Sequence, residues 1–249
     1  MSLTDILLLF ATGLSAGFID AIAGGGGLIT MPVLLAFGLP PHVALGTNKA
    51  QSTFGTSLAV LRYHRAGLID APAMRWPVIV TFFASAFGTW AVGRVGTDML
   101  RQLVPWMLLA VAVYTLLSPG FGKQAGAAKL RPHTFAWFAG SLLGFYDGFF
   151  GPGTGSFWTL ACITLLGLDL PHATGYTKVV NLASNAAALI VFAVADMIRY
   201  DIALAMIAGQ LAGAHLGSGM AIKHGAAFIR IVFITVVICL TVKLLWDQM

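Results

Sequence analysis

The chain reads as an all-α, polytopic membrane protein built from two homologous halves, on three observations. Hydrophobic residues fill 58% of its 249 positions and charged residues only 9%, whereas a soluble domain carries about 25% charged residues. Apolar runs long enough to cross a bilayer recur along its length, each needing about 20 residues. One short text is also written twice, with a glycine run inside an apolar stretch each time. Gly17-Phe18-Ile19-Asp20 leads into Gly24-Gly25-Gly26-Gly27, and Gly144-Phe145-Tyr146-Asp147 into Gly151-Pro152-Gly153-Thr154-Gly155.

Eight spans are expected, near 4–23, 44–61, 77–95, 101–118, 134–150, 174–195, 202–222 and 227–246. Two shorter apolar pieces, 28–38 and 155–167, follow the glycine runs directly. They are too short to cross as straight helices, so they read as re-entrant or half helices after a break in the first helix of each half. The hydrophilic stretch from Ser118 to His133 divides the chain into a first half (1–118), a central linker (119–133) and a second half (134–249). Ala84, Ser85 and Gly88, and Gly209, Gly213 and Gly217, are spaced for close helix approach in lipid. Similar Gly/Ala faces between chains would allow a homodimer.

The formal charge is +5, but the basic residues are scattered over short loops rather than gathered on one face, which excludes a nucleic-acid partner. Simple counting places eight loop cations, Arg62 and Lys129 among them, on one side and four, including Arg94 and Lys223, on the other. By the positive-inside rule both termini and the linker are then cytoplasmic. The loop near Arg62–Arg75 is basic and its partner near Asp196–Asp201 is not, which would also suit oppositely oriented halves. Cys162 and Cys239 lie in separate apolar stretches and read as buried small hydrophobes.

The chemistry sits where the repeats carry polar groups. Ala44-Leu45-Gly46-Thr47-Asn48-Lys49 is echoed by Ala173-Thr174-Gly175-Tyr176-Thr177-Lys178. A lysine at mid-membrane depth costs about 2.5–3.5 kcal/mol on insertion scales. Snorkelling to an interface would explain one such residue; two at matched positions point to function. On a helix Lys178, Asn181 and Asn185 share a stripe, as do Lys49, Ser52 and Thr56, with Asn48, Gln51 and Thr177 beside them. Each stripe joins a cation to neutral hydrogen-bonding groups without an acid, which suits an anion. Helices restarting at Gly25, Gly26 and Gly27, and at Gly153, Thr154 and Gly155, would add unpaired N–H groups and positive dipole ends. Asp20 and Asp147 are the matched acids, open to three roles: pairing with a lysine, accepting a coupling proton, or capping the broken helix. Gln210 is a candidate cavity-lining group, while a lone His215 suits a structural role.

No P-loop, dinucleotide fingerprint, GxSxG nucleophile or metal-ligand spacing is present. Neither an enzyme nor a cofactor is expected.

Taken together, the Asp-then-glycine blocks, Gly46-Thr47-Asn48-Lys49-Ala50-Gln51-Ser52, and Thr177-Lys178-Val179-Val180-Asn181 with Ser184-Asn185 resemble the TauE/SafE family of membrane permeases. The resemblance runs through the linker to the closing Lys243-Leu244-Leu245-Trp246. It is strongest to the bacterial inner-membrane branch, and implies a multi-pass protein of that membrane moving sulfite or related organosulfur anions such as sulfoacetate. The expected function is secondary transport of a small anion by alternating access between the halves. A passive anion channel and a non-transporting membrane scaffold are the rivals.

Overall fold

The computed structural model describes residues 1–117 and 126–246, with side chains for 1–110, 126–225 and 228. Ser118 and residues 119–125 of the expected linker lie outside the described residues. So do the side chains of Cys239 and of the closing Lys243–Trp246.

All regular structure among the described residues is helical. The helices are α1 (Leu3–Ala23), α2 (Gly27–Ala36), α3 (Pro41–Arg65), α4 (Arg75–Val92), α5 (Thr97–Leu117), α6 (Pro132–Phe149), α7 (Thr154–Leu165), α8 (Leu170–Val194) and α9 (Tyr200–Trp246). A single 3-10 turn, Pro72–Met74, precedes α4. Within α9, Gly225 breaks the helix at φ 65° and ψ −153°. With α9 counted as two segments, a long–short–long–long–long order occurs twice.

Local chemistry sets several boundaries. Ser2 and Asp5 form a reciprocal capping box that starts α1, satisfying amides that have no partner in the first turn. Asp169 caps α8 by accepting from the His172 amide at 2.9 Å. Prolines at the first positions open α3, α6 and α8, where a missing N–H costs nothing.

Leu3–Ala23, Leu170–Val194 and Tyr200–Gly225 are each long and apolar enough to cross a membrane. The outward surface agrees with that reading: Phe83, Phe87, Trp90, Trp106 and Leu142 are exposed, and Val194 is 85% exposed. An outer surface with so many large apolar side chains exposed belongs in lipid rather than water.

The packing exchanges partners between halves. Helix α1 runs along α9, and α6 runs along α4; likewise α3 touches α9 while α8 touches α4. At the first interface Gly13 and Gly17 face the backbone of Met206 and Gln210, and Gly209, Gly213 and Gly217 face Phe10, Leu14 and Phe18. At the second, Gly144 and Gly148 face Thr81 and Ser85, and Gly88 faces Phe145. A Cβ at any of these glycines would run into the opposing helix, so the small residues set how closely the helices approach. The connecting loops are exchanged too: Gly46 of α3 meets the Met197 carbonyl, and Gly175 of α8 meets the Leu68 carbonyl.

Candidate functional site

The two glycine breaks meet at the centre of the bundle. A Cβ on Gly24 would lie 2.7 Å from the Gly155 Cα, and one on Gly155 would lie 2.8 Å from the Gly24 Cα. No other residue leaves room for this contact. Gly24 (φ 75°), Gly25 (φ 105°), Gly151 (φ 95°) and Gly153 (φ 84°) adopt the left-handed backbone that glycine tolerates without strain. Neither α2 nor α7 has a side-chain cap. Among the described residues the amides of Gly27 and Gly155 donate to no acceptor, so both helix starts keep a free donor.

Around this contact lies a small polar cavity of ≈ 30 Å³, lined by Asp20, Gly25, Gly27, Asn48, Lys49, Ser52, Asp147, Gly151, Gly153, Thr154, Gly155, Asn181 and Asn185. Its volume is that of about two water probes. The ≈ 620 Å³ groove between α5, α6 and α7 is larger but almost wholly apolar. Chemistry, not size, marks the site: the small cavity holds the buried charges.

Those charges pair across the halves. The Lys49 ammonium on α3 donates to Asp147 Oδ1 on α6 at 2.6 Å and to Asn185 Oδ1 on α8 at 3.0 Å. In the opposite sense, Lys178 Nζ on α8 donates to the backbone carbonyl of Asp20 on α1 and stands 4.0 Å from its Oδ2. The Lys49 and Asp147 side chains are 3% and 5% exposed, those of Lys178 and Asp20 0% and 17%. Burying charges to this extent costs several kcal/mol per ion before pairing offsets it. Gly151 explains how closely Lys49 approaches, since a Cβ there would sit 2.9 Å from its Nζ.

The neutral groups divide between lining and support. Asn181 lines the cavity, and its buried Oδ1 has no partner; an unpaired buried acceptor costs roughly 1–3 kcal/mol. Asn48 Oδ1 accepts from Thr30 at 2.5 Å and from Gln51 at 3.0 Å. Gln51 also donates to Ser52 at 3.0 Å, leaving its own Oε1 unpartnered. Thr177 and Thr159 share a hydrogen bond at 3.1 Å, and Thr154 donates to the Gly151 carbonyl at 2.6 Å.

The structure therefore brings most of the expected residues together and sets a few behind. Lys49, Asn48, Ser52, Asn181, Asn185, both acids and Gly25, Gly27, Gly153, Thr154 and Gly155 all face the cavity. Gln51, Thr177, Lys178 and Gly26 form the layer behind it, Gly26 lying against the Ala16 carbonyl and the Asp20 side chain. Neither aspartate side chain caps a broken helix; both are oriented toward lysines. Gln210 is not at the cavity: its side chain lies against Gly55 with its Oε1 unpartnered. His215 meets Arg62, ring nitrogen to guanidinium, at 2.7 Å. Thr30, which donates to Asn48, and Gly151, which lies against Lys49, also belong to the site. Gly151 opens the second glycine run, but nothing in the sequence marks Thr30, a threonine in an apolar half helix.

Buried charge held at paired helix breaks inside an apolar bundle defines a class, the polytopic membrane transporters. Within that class the chain belongs to the TauE/SafE family: the family model described as "Sulfite exporter TauE/SafE" matches residues 9–244. A "Probable membrane transporter protein" of Haemophilus influenzae is 40% identical, the match covering 98% of this chain and 96% of that protein. The "Probable membrane transporter protein YfcA" of Escherichia coli is 38% identical, over 97% of this chain and 90% of its own length. The "Sulfite exporter TauE/SafE family protein 3" of Arabidopsis thaliana matches at 28% identity over 53% of this chain and 29% of its own. No solved structure matches the chain.

Proposed function

We propose that the chain is a secondary carrier of a small anion, with sulfite or a related organosulfur anion as its substrate, loading the cavity where the two halves meet. The observation that carries this reading is the reciprocal pairing of Lys49 with Asp147 and of Lys178 with Asp20. Each cation reaches the acid of the opposite half, so a rearrangement between halves alters both pairs at once. The free amides of Gly27 and Gly155 and the unpaired acceptor of Asn181 beside the cavity add hydrogen-bonding capacity. Helix starts aimed at a substrate anion are a recurring device in carriers with broken helices. At ≈ 30 Å³ the cavity is too small for a hydrated anion, which favours a carrier that rearranges to load over an open passive channel. The sulfur-anion class is drawn from the family's name. Two repeated halves, eight crossings and an inner-membrane location with cytoplasmic termini complete the proposal.

The test is thermal stabilisation of the purified protein by sulfite, thiosulfate, methanesulfonate, sulfoacetate, phosphate and chloride. Saturable stabilisation by a sulfur anion, reaching about 2.7 kcal/mol at a hundredfold excess over Kd and abolished in Lys49→Gln and Lys178→Gln, is expected. No stabilisation by any anion, or equal stabilisation in both variants, overturns the site and leaves a scaffold role as the better account.

A further inference from the structure

The two acid–base contacts are geometrically unequal, and the charge balance of the cavity gives that inequality a use. Lys49 and Asp147 form a tight pair at 2.6 Å, with Asn185 holding the ammonium from the other side. Asp20 is held more loosely. Lys178 is spent on its backbone carbonyl, its carboxylate lies 4.0 Å from that ammonium, and among the described residues it accepts no hydrogen bond. This carboxylate also lines the cavity, whereas Lys178 stands behind it. An anion entering from the cavity side therefore meets a carboxylate before it meets the second lysine.

The site carries two ammonium and two carboxylate groups and is formally neutral. A singly charged anion would leave one uncompensated negative charge in a buried place, where such a charge costs several kcal/mol. Adding one proton to a carboxylate restores neutrality. We propose that a proton enters at Asp20 with each singly charged anion: the carboxylate becomes a carboxylic acid, its charge is replaced by the anion's, and Lys178 becomes the anion's counter-ion. Proton and anion then leave together, so transport of the pair moves no net charge. This rests on the anion-carrier reading and names the group that couples it to protons.

The surroundings of Asp20 fit the assignment. From α8 it is faced by Lys178, and across the cavity by the Lys49–Asp147 pair of α3 and α6. Tyr63 of α3 donates to the neighbouring Ala21 carbonyl at 3.0 Å. α2 brings no titratable group, and α7 brings only the buried Cys162 thiol. Among the described side chains of α9, Asp201 is held by Arg199, His215 by Arg62, and His224 bonds the Met220 carbonyl, while Lys223 is exposed.

The experiment is calorimetric titration of the purified protein with methanesulfonate, whose single charge is constant across the working pH, and with sulfite. Each titration is run in two buffers of different ionisation heat, giving the protons taken up per anion bound. One proton per methanesulfonate is expected for the wild type, with an affinity rising up to about tenfold per unit fall in pH, the linkage limit for one proton. Asp20→Asn should bind with no proton uptake and no pH dependence, whereas Asp20→Glu should restore both. Binding without proton uptake in the wild type overturns the proposal and leaves the anion site intact. Undiminished uptake in Asp20→Asn removes Asp20 from the role. No binding of either anion at any pH defeats the carrier reading and this proposal with it.

Discussion

Removing the charge of Lys49 probes the shortest ion pair among the described residues. In Lys49→Met the side chain keeps all but its terminal atom's reach, while Asp147, 5% exposed and deprived of its 2.6 Å partner, becomes an isolated buried carboxylate. Breaking one side of a buried pair costs about 3–5 kcal/mol. For a chain of this size about 1 kcal/mol moves Tm by roughly 2–4 °C, so a fall on the order of 6–20 °C in detergent is expected. Neutralising both partners, Lys49→Met with Asp147→Asn, should recover most of the loss, because a neutral pair of similar shape avoids the desolvation penalty altogether. Differential scanning fluorimetry of both single variants, the double variant and the exposed-loop control Lys129→Met reads the whole cycle. If Lys49→Met melts like Lys129→Met, or the double variant is as unstable as the single, the pair does not hold the site together.

Three more variants, with two controls at Gly38, test the packing at and around the site. Gly24→Ala and Gly38→Ala both place alanine at a similar positive φ (75° and 79°), but only Gly24 has a backbone neighbour in the way. Gly38→Ala should cost about 1–2 kcal/mol of backbone strain, and Gly24→Ala should cost clearly more, measured by melting and by folded yield. Gly151→Ala puts a methyl group 2.9 Å from Lys49 Nζ, so anion-induced stabilisation should fall at least severalfold even where protein survives. Gly213→Leu forces a large side chain into the α1–α9 contact, and size-exclusion chromatography should show loss of the monodisperse species, while Gly38→Leu at an open turn should retain it.

Much of this was legible in sequence because the signals are local. The doubled Asp–glycine text located both breaks, and α1 and α6 end within a residue of where the apolar runs suggested. Helix α3 starts at Pro41, ahead of the expected 44, because the chain enters the helix through a proline before its hydropathy rises. Identical spacing made Lys49 and Lys178 look equivalent. What separates them lies outside their own helix: the first finds a carboxylate 98 residues away, the second a backbone carbonyl 158 residues away. No periodicity encodes such distant partners. Gln210 shows the same limit, since a helical stripe says which residues share a face but not which neighbour covers it. Its face is covered by Gly55 and Gly17 rather than by the cavity.

The exchange of α1 onto α9 and of α6 onto α4 bears on how the protein is made. Helix α1 is synthesised almost 180 residues before α9, its main partner, so its glycine-lined face must wait in the bilayer while the intervening chain is made. Helix α4 waits more briefly, for α6. Assembly of these helices therefore closes only when α9 slots beside α1. A chain cut in the linker should yield two fragments, each missing the helix that covers its first, and only their co-production should restore a stable protein.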